Sequence, residues 1–273
     1  MKKILIAFDG SHFSEGAFEF ARCLNELEPI LLLGIFVPQI NYANLLSYAN
    51  SASGPTMIPL MEDEDSWAVH QNMERFENLC RKNNIEHRVH KDFFDFALPE
   101  LKRETRFADL LILGSEKFYK NIGSGEHNEY LNEALHVAEC PVLVVPEKFD
   151  FPESNILAYD GTESSVHAIK QFAYLFPELC DNKTLLIFAE KEDKSFPKKV
   201  YIEELAARHF TDLTLVKLDI NPKKYFASWL GEKKSAILVT GAFGRSSVSR
   251  LFKRSFVAEV ITDHRLPVFI THR

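Results

Sequence analysis

Ile4-Leu5-Ile6-Ala7-Phe8-Asp9-Gly10-Ser11 returns 151 residues later as Asn155-Ile156-Leu157-Ala158-Tyr159-Asp160-Gly161-Thr162. An apolar run closed by Asp-Gly and a small hydroxyl residue reads as a buried strand, a tight turn and a helix start. Two further stretches return in the same order. Leu110-Leu111-Ile112-Leu113-Gly114 reappears within Ala236-Ile237-Leu238-Val239-Thr240-Gly241 at an offset of 127, and Cys140-Pro141-Val142-Leu143-Val144-Val145 reappears as Leu266-Pro267-Val268-Phe269-Ile270-Thr271 at an offset of 126. Ordered self-similarity of this kind is the mark of a duplicated unit. The fall from 151 to 127 leaves 24 extra residues in the first copy (151 − 127). Residues 41–65, rich in Asn, Ser, Gly, Pro and acid, are the expected insertion, exposed and poorly ordered and the first segment to be cut by a protease.

Each copy alternates short β-branched runs with longer stretches of helical period. In the first the strands are expected at 4–8, 30–37, 87–90, 110–113 and 142–145. Ser11 or Ser14 can cap a helix whose apolar face is Ala17, Phe18, Ala21 and Leu24, and residues 67–82 repeat that pattern with Val69, Met73, Phe76 and Cys80. In the second the strands are expected at 156–159, 184–188, 213–218, 236–240 and 268–271. Continuous apolar strands separated by helices imply a parallel sheet covered on both faces. The fold class is therefore α/β: two tandem open-sheet domains, 1–148 and 153–273, each a mostly parallel five-stranded sheet with a core of its own. Pro152 marks the linker, and the length of 273 residues agrees with two domains.

Composition narrows the function classes. Hydrophobic residues at 46% and charged residues at 26% exclude disordered and collagen-like chains. The longest apolar run, residues 29–38, is too short to span a bilayer as a helix, and the N-terminal run is broken at once by Asp9-Gly10-Ser11, so a cytoplasmic protein without a membrane role is expected. Residues 1–152 hold 14 Lys and Arg against 24 Asp and Glu, net −10, whereas residues 153–273 hold 18 against 15, net +3, summing to −7. Neither value suits a general nucleic-acid binder. The four cysteines, Cys23, Cys80, Cys140 and Cys180, have neither zinc nor redox spacing and read as buried thiols.

Five β/α units, an Asp at the tip of the first strand, a glycine after the fourth and a closing strand that begins Cys140-Pro141-Val142-Leu143-Val144-Val145-Pro146 together resemble the universal stress protein family, of the adenine nucleotide α-hydrolase-like fold. The resemblance covers nearly the whole chain and is to the tandem, two-domain members. It implies a stress-response protein that acts through protein partners, and an intramolecular pseudo-dimer in which the closing strands, 142–145 and 268–270, meet antiparallel.

In the family's nucleotide-binding members a Gly-x2-Gly-x9-Gly-Ser/Thr loop follows strand four, and the strand-one Asp contacts the adenosine of ATP. Glycines let backbone amides approach phosphate, and a following helix start adds partial positive charge. Carried onto the second copy, the cofactor-binding residues are Asp160, Gly241, Gly244 and Ser255, with Arg254 in place of the third glycine. The Arg254 guanidinium either blocks the backbone approach or binds phosphate itself. Arg245, Arg250 and Lys253 add positive charge nearby. In the first copy the loop is degenerate: Gly114-Ser115-Glu116-Lys117 lacks the second glycine, Glu129 takes the serine position, and Glu126 flanks Gly123-Ser124-Gly125. ATP is therefore expected in the second copy. The alternative is a ligand-free regulatory scaffold in which both sites have decayed and Asp9 and Asp160 only build turns.

No catalytic constellation is read. An ATP hydrolase would need a Mg-holding carboxylate or a second base near Gly241, and only Asp160 is offered. His12 and His167 are read as surface or helix-capping residues. Glu86, His87 and His90 lie on an expected strand where positions three apart face opposite ways, so no metal site is expected there.

Overall fold

The computed structural model describes residues 1–37, 63–90, 97–118, 129–189, 195–220, 222–241 and 260–271. The first copy runs β1 (Lys2–Phe8), α1 (Glu15–Leu27), β2 (Ile30–Phe36), α2 (Asp63–Lys82), β3 (Glu86–His90), α3 (Ala97–Thr105), β4 (Leu110–Gly114), α4 (Glu129–Val137) and β5 (Val142–Val145). The second runs β6 (Ser154–Ala158), α5 (Glu163–Leu175), β7 (Lys183–Ala189), α6 (Lys199–Ala207), β8 (Leu213–Leu218), α7 (Pro222–Leu230), β9 (Ala236–Gly241) and β10 (Val268–Thr271). All ten expected strands form, because each is an apolar run of strand length bounded by polar or turn residues.

The strands make one sheet in the order β3-β2-β1-β4-β5-β10-β9-β6-β7-β8. Every pairing is parallel except the central one, where β5 and β10 run antiparallel with Val268 opposite Val144, Phe269 opposite Leu143 and Ile270 opposite Val142. The offset of 126 that relates the two closing strands also carries Leu143 onto Phe269, the very residue it faces. A pseudo-twofold axis therefore passes through this pair, as in an isologous dimer interface. The contact closes one edge of each half-sheet.

One core for each copy was the expectation, and the joined sheet changes that. The two apolar cores divide by sheet face, and each draws residues from both copies: Ile4, Phe8, Phe20, Phe76, Phe172 and Phe269 on one face, Leu5, Leu111, Leu135, Ile156, Leu230 and Val268 on the other. Alternate residues of every strand point to opposite faces, so pairing β5 with β10 makes each layer continuous. The linker is packed too. Phe149 and Phe151 lie 5.4 and 5.1 Å from the Phe20 ring of α1, and Glu153 and Ser154 donate backbone hydrogen bonds to Ser235 O at 2.8 and 3.1 Å.

The helices bury the expected stripes. Ala17, Phe18, Ala21 and Leu24 of α1 are buried, as are Val69, Met73, Phe76 and Cys80 of α2. Asp63, Glu64 and Asp65, expected in the insertion, instead belong to the first turn of α2. The rest of 41–65 lies outside the described residues. Cys80, Cys140 and Cys180 are buried and Cys23 half-buried, all four as free thiols. Burial pushes the first three thiols up to about 12 and Cys23 to about 11.

Candidate functional site at the carboxyl edge of each half-sheet

In each copy the chain leaves the first strand on one side and the fourth on the other, which opens a crevice at the carboxyl ends of β1 and β4 and again at those of β6 and β9. Asp9 and Gly114 stand at the first crevice, Asp160 and Gly241 at the second. Gly244, Arg254 and Ser255, with Arg245, Arg250 and Lys253, lie outside the described residues, as do residues 119–128. Of the five cofactor-binding candidates the structure thus places Asp160, two residues past the end of β6, and Gly241, the last residue of the neighbouring strand β9.

The first crevice is filled by the protein's own side chains. Asp9 is buried, and its Oδ1 accepts from the His12 backbone N–H at 2.7 Å and from Ser11 Oγ at 3.3 Å. Its Oδ2 lies 2.8 Å from His12 Nδ1. His12 therefore does not cap a helix. Ser14 is the cap, accepting from Ala17 N–H at 3.2 Å, and the three residues before it form a loop that folds His12 onto Asp9. Phe13 stacks on Phe8 with centroids 4.6 Å apart, and the Arg75 guanidinium covers Phe13 at 4.7 Å. Glu147, just past β5, reaches the start of α1: Oε1 accepts from Ser14 Oγ and Oε2 from Glu15 N–H at 3.1 Å. A helix start with free N–H groups favours an anion, and here the chain supplies one.

The second crevice differs at each of these points. α5 begins at Glu163, three residues after Asp160, against six between Asp9 and Glu15, so no counterpart of the His12 loop exists. Thr162 is the cap, accepting from Ser165 N–H at 3.3 Å. Asp160 is exposed. Its Oδ1 accepts from Thr162 N–H at 2.9 Å and Thr162 Oγ1 at 2.6 Å, the turn-building role, while Oδ2 carries no hydrogen bond among the described residues. Tyr159 stacks on Phe196 at 5.7 Å and donates to Pro197 O at 3.0 Å. Burial and the neighbouring Asp160 carboxylate raise its phenol above the ordinary value. Pro197 also crosses Gly161, whose φ of 82° and closeness to the Pro197 ring require glycine.

Gly114 and Gly241 have a reason of their own. A Cβ on Gly241 would overlap the backbone carbonyl of Ser164 and lie 2.8 Å from Ser165 N, and one on Gly114 would overlap the Ser14 side chain. Both glycines let a strand end pack directly against a helix start. Thr271, the partner of Gly241 across the β9–β10 pair, is buried, and its Oγ1 has no hydrogen bond among the described residues. Its counterpart in the first copy is Val145, opposite Gly114. Glu147 corresponds at the same offset of 126 to Arg273, which lies outside the described residues.

The sequence reading missed Glu147, Thr271 and the 195–198 segment. A strand-terminal Thr reads simply as a β-former, and Glu147 meets Ser14 across 133 positions. Two further histidines are held by hydrogen-bond partners: His87 Nδ1 lies 3.0 Å from Ile85 O and His90 Nδ1 2.8 Å from Glu104 Oε1. Among the described residues no three His, Cys, Asp or Glu side chains could hold a metal, and no helix is long and apolar enough to cross a membrane.

Gly16 of α1 makes the close packing testable. A methyl there would overlap the Pro146 carbonyl oxygen and lie 2.8 Å from Glu147 Cα. Alanine in a helix interior normally gains up to about 1 kcal/mol over glycine. Here the overlap is with backbone and costs about 1–3 kcal/mol, so Gly16→Ala should lower the midpoint of thermal unfolding rather than raise it.

No protein-family model matches the sequence, and no curated protein does. Among solved structures the chain is similar over 100% of its length to a universal stress protein from Archaeoglobus fulgidus DSM 4304, with 96% of that chain covered, 17% identity and a TM-score of 0.74. It is similar over 100% of its length to a functionally unknown protein of Pseudomonas aeruginosa PAO1, with 92% of that chain covered, 12% identity and a TM-score of 0.58. The fold is thus an α/β open sheet of the universal stress protein type.

Proposed function

We propose that the chain is a tandem universal stress protein, cytoplasmic and acting through protein partners, that binds one adenine nucleotide, ATP, in its second domain. The two domains are 1–148, with a self-filled crevice, and 153–273. The observation that carries the reading is the contrast at the strand-four glycines. Glu147 seats its carboxylate at the helix start beside Gly114, whereas beside Gly241 the buried Thr271 hydroxyl lacks a protein partner among the described residues. A buried hydroxyl without a hydrogen bond costs about 1–3 kcal/mol, and a phosphate oxygen at that point would accept from it.

The residues fit such a ligand. The free Asp160 Oδ2 would accept from hydroxyl groups of the adenosine. Gly241 and Gly244 would line the phosphates, Ser255 would cap them, and the Arg254 guanidinium would pair with them as a fork. ATP supplies the anionic phosphates. Asp160 is the one carboxylate assigned to the site, and the assignment is to binding rather than hydrolysis.

The test is release. Purified protein, denatured and cleared, should yield adenine nucleotide on ion exchange at up to one mole per mole of chain. A supernatant free of nucleotide, together with no binding of added ATP, would favour the ligand-free scaffold.

A further inference from the structure

We infer a second anion site, distinct from the nucleotide crevice, in the cleft where the two copies meet at the amino ends of β9 and β10. The cleft is about 370 Å³ and is lined by Lys148, Asp150, Lys233, Lys234 and Arg265, with Leu266 and Pro267 forming part of its wall. Four cations from three separate segments face one carboxylate. None of these five has an ion pair with another, and the Lys233 ammonium sits 4.3 Å over the Trp229 ring.

The pseudo-twofold supplies the internal control. Lys233 and Arg265 correspond, at offsets of 127 and 126, to Arg106 and Glu139. In the first copy that pair is a neutral, bidentate ion pair, with Nε to Oε2 at 2.7 Å and Nη2 to Oε1 at 3.0 Å. In the second the acid has become arginine, so no such ion pair can form, and Lys148 and Lys234 line the same cleft beside Lys233 and Arg265. Like charges converge in a cleft at a cost that an anion removes, and cleft walls focus the field.

The backbone is shaped to hold this arrangement. Ser235 and His264 adopt left-handed conformations with φ of 46° and 48°, while their counterparts Ala108 and Ala138 do not. Such positions in non-glycine residues store strain and concentrate at functional sites. Each is pinned: Ser235 O accepts from Glu153 and Ser154, and His264 Nδ1 lies 2.8 Å from Ser115 Oγ of the first copy. Arg265 lies over Gly231, where a Cβ would come within 2.6 Å of Nη1.

The cleft takes a compact polyanion, a small molecule bearing a diphosphate. Its volume and four cations suit two linked phosphates, and a chain of net charge −7 would repel a long polymer around it.

Titration calorimetry of the full chain with inorganic pyrophosphate at low ionic strength tests this. The wild type should bind at this site and weaken as salt rises. Arg265→Glu, which restores the first copy's pattern of a base facing an acid, and Lys234→Glu, at an exposed position, should each weaken binding by about tenfold or more. Lys199→Glu, on α6, should leave it unchanged. No binding by the wild type, wild-type affinity in both cleft variants, or an equal loss in Lys199→Glu would overturn the proposal.

Discussion

Phe269→Ala is expected to lower the free energy of unfolding by about 3–5 kcal/mol, the range for deleting a fully buried aromatic side chain. Phe269 is fully buried on β10, edge-on to Phe172 at 5.4 Å and to Phe176 at 5.8 Å, and it faces Leu143 across the antiparallel joint. The cavity would open where the pseudo-twofold passes, between helices and strands of a core that both copies share. Leu143→Ala, its pseudo-symmetric counterpart, should cost about 2–5 kcal/mol. Chemical denaturation with an unchanged slope would read both as stability changes, and one transition should report the two halves together, since neither has a core to itself. A loss under about 1 kcal/mol in Phe269→Ala would mean the joint is not part of the core, because large aromatic truncations in packed interiors do not come so cheaply.

The second large effect is on the ligand. Gly244→Glu should abolish ATP binding, because the substitution adds a side chain where the backbone is assigned to approach phosphate and adds negative charge there as well. Lys117→Glu, after the first copy's degenerate loop, should leave binding unchanged. Charge-assisted hydrogen bonds to phosphate are worth about 1.5–3 kcal/mol each, so reversing the sign at one lining position outweighs most other single changes to the loop.

Much of the fold could be read before the structure because it depends on local pattern and duplication. Apolar runs such as 110–114 and 236–241 have strand length and turn-forming flanks, and their recurrence in order implies the same topology twice. The antiparallel meeting of β5 and β10 was legible only through the family resemblance. What stayed hidden depends on contacts distant in sequence. Pairing β5 with β10 merges the cores, a consequence no single segment carries. The different starts of α1 and α5 could not be separated either, since Ser11 and Ser14 are both competent caps and the packing of Phe13 on Phe8 decides between them.

The site was legible in outline and ambiguous in role. Asp9 and Asp160 stand just past equivalent strands, yet one is buried under His12 and the other is exposed, its Oδ2 without a hydrogen bond among the described residues. The distinction arises from three loop residues, whose effect is conformational rather than chemical. Gly114 and Gly241 read as phosphate glycines, while the structure gives both a packing role against a helix start. Glu147 occupies the helix start beside Gly114, Thr271 Oγ1 beside Gly241 has no hydrogen bond among the described residues, and neither residue belongs to a recognisable motif.

The direct measurement is the stoichiometry of ATP binding to the full chain by titration calorimetry, on protein first stripped of nucleotide. The account predicts one site per chain, lost in Gly244→Glu and retained in Lys117→Glu. Two sites per chain, or undiminished affinity in Gly244→Glu, would contradict it.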